Sequence, residues 1–248
     1  MSTGNPVGTG FYGKLPHLGD FVGRRLSTEL IEPWDQWLQA SLAASRTRLG
    51  EAWLEQYLTS PLWRFVLSPG VAGQGAWAGI LMPSVDRVGR YFPLTIAASL
   101  PTGTNPCRLL HVTDWFERAE ALALSVLDDP FSLDDFDAEV LALGDPSGAA
   151  GAICPPDPGR GRPNAWHLTT ADGPAVGACP TLLDHAMNQV FLAYSLWWGQ
   201  GSDLVAPSLL ACQGLPPPDG FAALLNGDWS GGDWRLLGEA PRTVGPEA

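Results

Sequence analysis

The sequence predicts an α/β protein in which a central mixed sheet carries helices on its faces. Three observations lead there. Three apolar runs of strand length, 63–67, 77–82 and 91–100, follow one another, each bounded by Gly, Pro or Ser. Apolar residues at helical spacing occupy 34–49 and return after residue 101. The two patterns alternate along the chain, without the repeat period of a solenoid.

Taken in order, residues 9–15 (TGFYGKL) read as a strand ended by Pro16, and Gly19 suits a turn before Asp20. A helix is predicted from Ser27 and Thr28, with Pro33 near its first turn, where a missing N–H does no harm. Trp34, Trp37, Leu38, Ser41, Leu42, Ser45 and Leu49 keep the helical period up to Gly50. Trp53, Leu54, Tyr57 and Leu58 extend it. Among the strands, 91–100 has few polar interruptions, as a strand covered on both faces would, and Pro93 fits near its start.

Asp114 and Glu117 then have the spacing of a capping box ahead of the stripe Trp115, Ala119, Leu122, Val126 and Leu127. A second helix follows from a Ser132 cap through Phe136, Val140 and Leu141. Residues 144–163, rich in Gly, Pro and Asp, predict a long loop. A strand over 165–170 is followed by a helix over 181–194 capped by Thr181, with Leu183, Met187, Val190 and Phe191 on one face. Strands over 195–198 and 208–212 and a short helix over 221–225 complete the pattern, and the tail after Glu239 is expected to fray.

A chain of 248 residues, 45% hydrophobic, is long enough to bury roughly 70% or more of its unfolded surface without staples. It reads as a single domain over 1–248, with a motif-rich half (1–100) and an acidic half (101–248) that holds the loop near 144–163. The net charge is −12. The first hundred residues carry eight basic and seven acidic side chains, the remainder six and nineteen. Nucleic-acid binding draws on Lys and Arg to neutralise phosphates, so this balance excludes it, and anionic membrane surfaces are disfavoured for the same reason.

Cys107, Cys154, Cys179 and Cys212 are far apart, with no C-x-x-C pair, and are expected as reduced thiols in the cytoplasm. The start has no basic segment followed by an apolar one, so no signal peptide is expected, and no apolar run reaches membrane-spanning length. His17, His111, His167 and His185 lack metal-ligand spacing. Asp128–Asp129 and Asp134–Asp135 lack the spacing of a calcium loop and read as a solvated acidic face. No metal or cofactor is expected.

The densest polar constellation lies in two segments that follow predicted strands, where binding groups often sit. The first holds Gly13, Lys14, Pro16, His17, Gly19, Asp20, Arg24 and Arg25. The second holds Ser84, Asp86, Arg87, Gly89, Arg90 and Pro93. Lys14 is the only lysine in the chain. One reading is the site of an enzyme or binding protein for a phosphorylated or other anionic ligand: arginines for bidentate contact, Lys14 as a point charge, glycines baring backbone N–H groups, and, in an enzyme, Asp20 or Asp86 as the acid or base. The other is an ion-paired scaffold, with Asp20 and Asp86 each pinning an arginine and a partner docking outside; mutual neutralisation favours it.

No catalytic set stands out. Gly13-Lys14 is followed by Leu15, so there is no nucleotide P-loop, and no G-x-S-x-G elbow is present. Trp197 and Trp198, with Trp229 and Trp234, suit either an aromatic contact surface or sheet core, with core the better reading.

The same two segments carry a resemblance. GFYGKLPHLGDFVGRRL near the start, W-x-x-W-L at Trp34, Trp37 and Leu38, PLWRF over 61–65 and WAGILMPSVDRVGRYFPLT over 77–95 resemble the TagF family of type VI secretion-associated proteins. The ordered match covers about the first hundred residues. The resemblance implies a three-layer α/β/α sandwich with a central mixed sheet. It also implies a cytoplasmic protein that represses the secretion apparatus after translation, with type VI components as partners and the forkhead-associated scaffold protein foremost. It transfers no catalytic residue, so the expectation is a non-enzymatic accessory protein. The motif positions Gly13, Lys14, Pro16, Gly19, Asp20, Ser84, Asp86, Arg87, Gly89, Arg90 and Pro93 carry over from it.

Overall fold

The computed structural model describes residues 8–149, 168 and 175–237. In chain order the elements are β1 (Thr9–Gly13), β2 (Val22–Arg24), α1 (Thr28–Leu49), α2 (Trp53–Leu58), β3 (Trp63–Leu67), β4 (Ala76–Met82) and β5 (Leu94–Leu100). Then come α3 (Asp114–Leu124), α4 (Leu133–Ala142), α5 (Cys179–Val190), β6 (Tyr194–Gly199), β7 (Ser208–Gln213) and α6 (Phe221–Asn226). The strands form one seven-stranded sheet in the order β2-β1-β5-β4-β3-β6-β7.

Every pairing in that sheet is antiparallel, which corrects the expectation of a mixed sheet. The reason lies in the connections. A parallel neighbour needs a crossover, usually a helix, whereas 68–75 and 83–93 are loops without one, so β3, β4 and β5 fold back as a meander.

Strand alternation sorts the apolar side chains into two clusters. Val66, Ala78, Ile80, Ile96 and Leu196 pack with Trp115 and Phe116 of α3 and Phe136 and Val140 of α4. Phe65, Leu67, Trp77, Leu81, Ala97 and Trp197 pack with Trp34 and Leu38 of α1, Tyr57 of α2 and Leu224 of α6. The near-continuous apolar run of β5 thus feeds both clusters, as expected for a strand covered on both faces. Gly79 sits where β4 crosses β5 tightly; a Cβ there would lie 2.4 Å from the Ile96 carbonyl oxygen. Trp34 stacks on Trp197 at 5.7 Å and donates its indole N–H to Thr95 Oγ1 at 2.9 Å. Trp197 is core; Trp198, Trp229 and Trp234 are half-buried.

Local signals hold in part. Ser132 caps α4, accepting the Asp135 N–H at 3.3 Å. Asp114 and Glu117 make no capping box: Asp114 is already the first helical residue, and the two carboxylates favour the helix start through its dipole instead. Pro33 lies in the second turn of α1, not the first, and so removes the bond Glu29 C=O would have received. Thr181 is inside α5, which begins at Cys179 with Pro180 in its first turn, and Tyr194 opens β6. Strand β2 and the 3₁₀ turn Pro106–His111 had no signal in the pattern. The strand expected at 165–170 lies, apart from Leu168, outside the described residues, as do 150–163 of the expected loop and the tail after Glu239.

One charge is embedded in the sheet. Arg64 of β3, buried, meets Glu120 of α3 through two parallel bonds of 2.7 Å, Nε to Oε1 and Nη2 to Oε2. The fork geometry satisfies both groups where a lone guanidinium would be costly. Among the described residues no helix is long and apolar enough to cross a membrane.

Candidate functional site

The register brings the two motif segments together. Tyr12 pairs with Thr95, and Leu94 with Met82, so the chain leaving β1 and the loop between β4 and β5 emerge at the same end of the sheet. Gly13 ends β1 there with φ +141°, and a Cβ would sit 2.2 Å from the Pro93 carbonyl oxygen, so only glycine fits against buried Pro93.

Asp86 organises the site. Its Oδ1 accepts the N–H groups of Val88 at 3.0 Å and Arg90 at 2.9 Å. Its Oδ2 accepts Lys14 Nζ and Arg90 Nε, each at 2.7 Å. Burial works against its ionisation, but those bonds from Lys14, the Arg90 main chain and side chain, and Val88 outweigh it and hold the carboxyl well below the usual carboxylate range. The loop closes on itself through Asp86 N–H to Arg90 C=O at 3.0 Å and an antiparallel bridge between Val85 and Tyr91, with Gly89 at φ +83° making the reversal.

Further bonds tie the two segments. Ser84 Oγ donates to the Lys14 carbonyl at 2.7 Å, and Arg87 N–H donates to the Leu18 carbonyl at 2.9 Å. Arg90 Nη2 donates to the Gly19 carbonyl and lies 3.6 Å from Asp20 Oδ1. The Arg87 guanidinium lies beside Gly19. Lys14 is buried, its ammonium 5.0 Å from the Phe21 ring centre. Pro16 and His17 are half-buried; His17 stacks on Phe131 at 4.7 Å and contacts the Val126 carbonyl at 3.0 Å, which fastens the segment to the link between α3 and α4.

Two of the predicted residues belong elsewhere. Arg24 stands opposite Phe11 on β2, exposed, bonded only to the neighbouring Gly23 carbonyl among the described residues. Arg25 donates to the Thr9 carbonyl at 2.8 Å and pairs with Asp137 of α4 at 2.6 Å.

Sequence reasoning missed Tyr57. Its buried hydroxyl donates to the Ser84 carbonyl at 2.9 Å and accepts the Ser84 N–H at 3.0 Å, locking the start of the loop to α2. Burial raises the phenol above its ordinary range, so it keeps the proton it donates. Its spacing signals only a helical extension after Gly50. Phe21 was also passed over. It packs on Phe92 at 4.8 Å and Tyr12 at 5.8 Å and is still 46% exposed.

The result is a self-neutralised base carrying an exposed tip of Phe21, Arg87, Val88 and Arg90. It has little room within. The space between α2, α6 and the buried side of the loop, lined by Tyr57, Pro61, Pro83 and Pro93, amounts to about 10 Å³. A groove of about 390 Å³ lies between α3 and α4, lined by Arg118, Leu122, Ser125 and Glu139, and holds none of the motif residues. Among the described residues no group of His, Cys, Asp and Glu is arranged to hold a metal ion.

The model of the TagF N-terminal domain, type VI secretion system-associated, matches residues 10–143, which include both motif segments. The crystal structure of PA0076 from Pseudomonas aeruginosa PAO1 is similar to this chain at 40% identity, with a TM-score of 0.73 over 94% of this chain and 100% of that one. No curated protein matches the chain. With its sheet-end loops, the motif residues within them and the extent of both matches in agreement, the chain belongs to the TagF N-terminal domain family of type VI secretion system-associated proteins.

Proposed function

We propose that this chain is a cytoplasmic, non-enzymatic protein that represses type VI secretion after translation by binding a component of the apparatus, the forkhead-associated scaffold protein. The family supplies the link to type VI secretion. The observation that carries the rest is the four-donor environment of Asp86. A carboxylate whose oxygens are all engaged, held far below neutral pH, is poorly suited to general acid or base work. Lys14 is spent on the same carboxylate and is buried. A protein built this way spends its charges on shaping two loops, and the exposed Phe21, Arg87 and Val88 are what a partner would meet. An aromatic ring and an arginine at one tip are the residue types that anchor interfaces. The three-layer α/β/α stacking belongs to the same reading, supported by the two clusters into which strand alternation sorts the core.

The test is co-purification of the scaffold protein with the wild-type chain and with Arg87→Glu and Val88→Asp, whose side chains are exposed and make no bond to Asp86; Val88 reaches it through its main-chain N–H alone. Both variants should fold normally and lose the scaffold at least tenfold. Retention by both would remove the tip from the reading. A saturable phosphate or phosphopeptide affinity lost in Arg87→Glu would favour instead an anion site on Lys14, Asp20, Asp86, Arg87 and Arg90.

A further inference from the structure

The two edges of the sheet differ. The β2 edge is three residues long, Val-Gly-Arg, with an exposed arginine at its end. Short strands and charges are the usual means by which an edge is kept from pairing with another chain. The β7 edge has neither. It runs for six residues, Ser-Leu-Leu-Ala-Cys-Gln, without a charge or a proline. Its register with β6 is continuous from Tyr194↔Gln213 to Gly199↔Ser208, so no bulge bends it away.

The side chains along that edge alternate as in a strand with one covered face. Leu210 and Cys212 are buried in the cluster shared with α1 and α6, while Leu209, Ala211 and Gln213 are exposed, Leu209 at 57%. Leu192, 97% exposed, stands just before β6, where the Gly214 N–H after β7 bonds to the Ala193 carbonyl. Charge singles out the same region. Between residues 186 and 218 the only charged side chain is Asp203, in a chain of net charge −12. Like charge works against such a chain meeting itself, and this hairpin adds little to that repulsion.

We propose that β7 is a self-pairing edge, and that two copies of this chain join β7 to β7 in antiparallel fashion about a two-fold axis. A register centred on Leu210 or on Ala211 keeps the pleat in phase. Leu209 then lies beside Ala211 or Gln213 of the second copy on the open face, and Leu210 beside Leu210 or Cys212 on the covered face. No like charges are set opposite one another. The contact is isologous and consumes, in both copies, an edge beside which no other strand lies among the described residues, and the blunted β2 edges at the far ends do not propagate it, so assembly stops at two.

Sedimentation velocity of the purified full chain over a hundredfold concentration range tests this. The expected result is a reversible dimer of twice 26.4 kDa. Leu209→Lys, on an exposed position of the open face, should shift it to monomer with at least a tenfold weaker dissociation constant. Its thermal midpoint at low concentration should match that of the wild type. As a second variant, Ala211→Glu should do the same. A wild-type chain that stays monomeric throughout overturns the proposal, including the case where the edge serves another protein's strand. So does a dimer unaffected by both substitutions, or an open series of larger species.

Discussion

Lys14 Nζ and Asp86 Oδ2 lie 2.7 Å apart, buried, although seventy-two positions separate them in the chain. Removing the carboxylate strands an ammonium without its partner and frees two loop N–H groups, whereas removing the ammonium leaves Asp86 three donors. Asp86→Ala should therefore lower the urea midpoint more than Lys14→Met, and the double variant should be more stable than Asp86→Ala alone. Additive losses would mean that the two groups act independently.

The same carboxylate predicts an acid dependence. Its folded pKa lies below the ordinary value of about 3.9, so in the window between the two the unfolded chain binds the proton and the native chain does not. Its stabilisation is thus full above about pH 4 and is lost as pH falls through the folded value. The gap in urea midpoint between wild type and Asp86→Asn should be widest near neutrality and shrink below pH 4. A constant gap down to pH 2 would contradict the assignment.

Arg64, buried, and Glu120, largely so, form a second such pair among the described residues. Glu120→Ala should destabilise by about 3 kcal/mol, the low end for a broken buried pair, because Glu120 keeps some solvent contact. Trp34→Ala, which empties a site between Phe65 and Trp197, should cost about 3–5 kcal/mol. Chemical denaturation measures both, and a cost under 1 kcal/mol for Trp34→Ala would be incompatible with its packing.

The thiols should separate by reactivity. Burial pushes Cys107 and Cys212 up to about 12, so at pH 8 neither offers thiolate or access, whereas Cys179 is exposed. Peptide mapping after brief treatment with a maleimide should find Cys179 modified well before Cys107 or Cys212, which should react only on unfolding.

At Gly13 an added methyl group would overlap the Pro93 carbonyl in a conformation that L residues avoid. Gly13→Ala should sharply reduce the yield of folded protein, while Gly103→Ala, also at positive φ but with open space around it, should cost only about 1 kcal/mol. Thermal midpoints of the two variants make the comparison.

Much of the local structure was written in the sequence. The apolar runs at β3, β4 and β5, the helical period of α1, the Ser132 cap of α4 and the short helix at α6 all follow from which side chains must be buried and how often they recur. The two motif segments were legible because Gly, Pro, Asp and Arg are dense there.

Tertiary structure alone decided that every strand pair is antiparallel, that Arg25 leaves the cluster for Asp137, and that Tyr57 holds Ser84, 27 positions further along the chain. Periodicity records only how a segment divides between core and solvent. Strand order and the partner of a given hydroxyl or carboxylate are settled by close packing between segments far apart in the chain, and no local pattern carries that information.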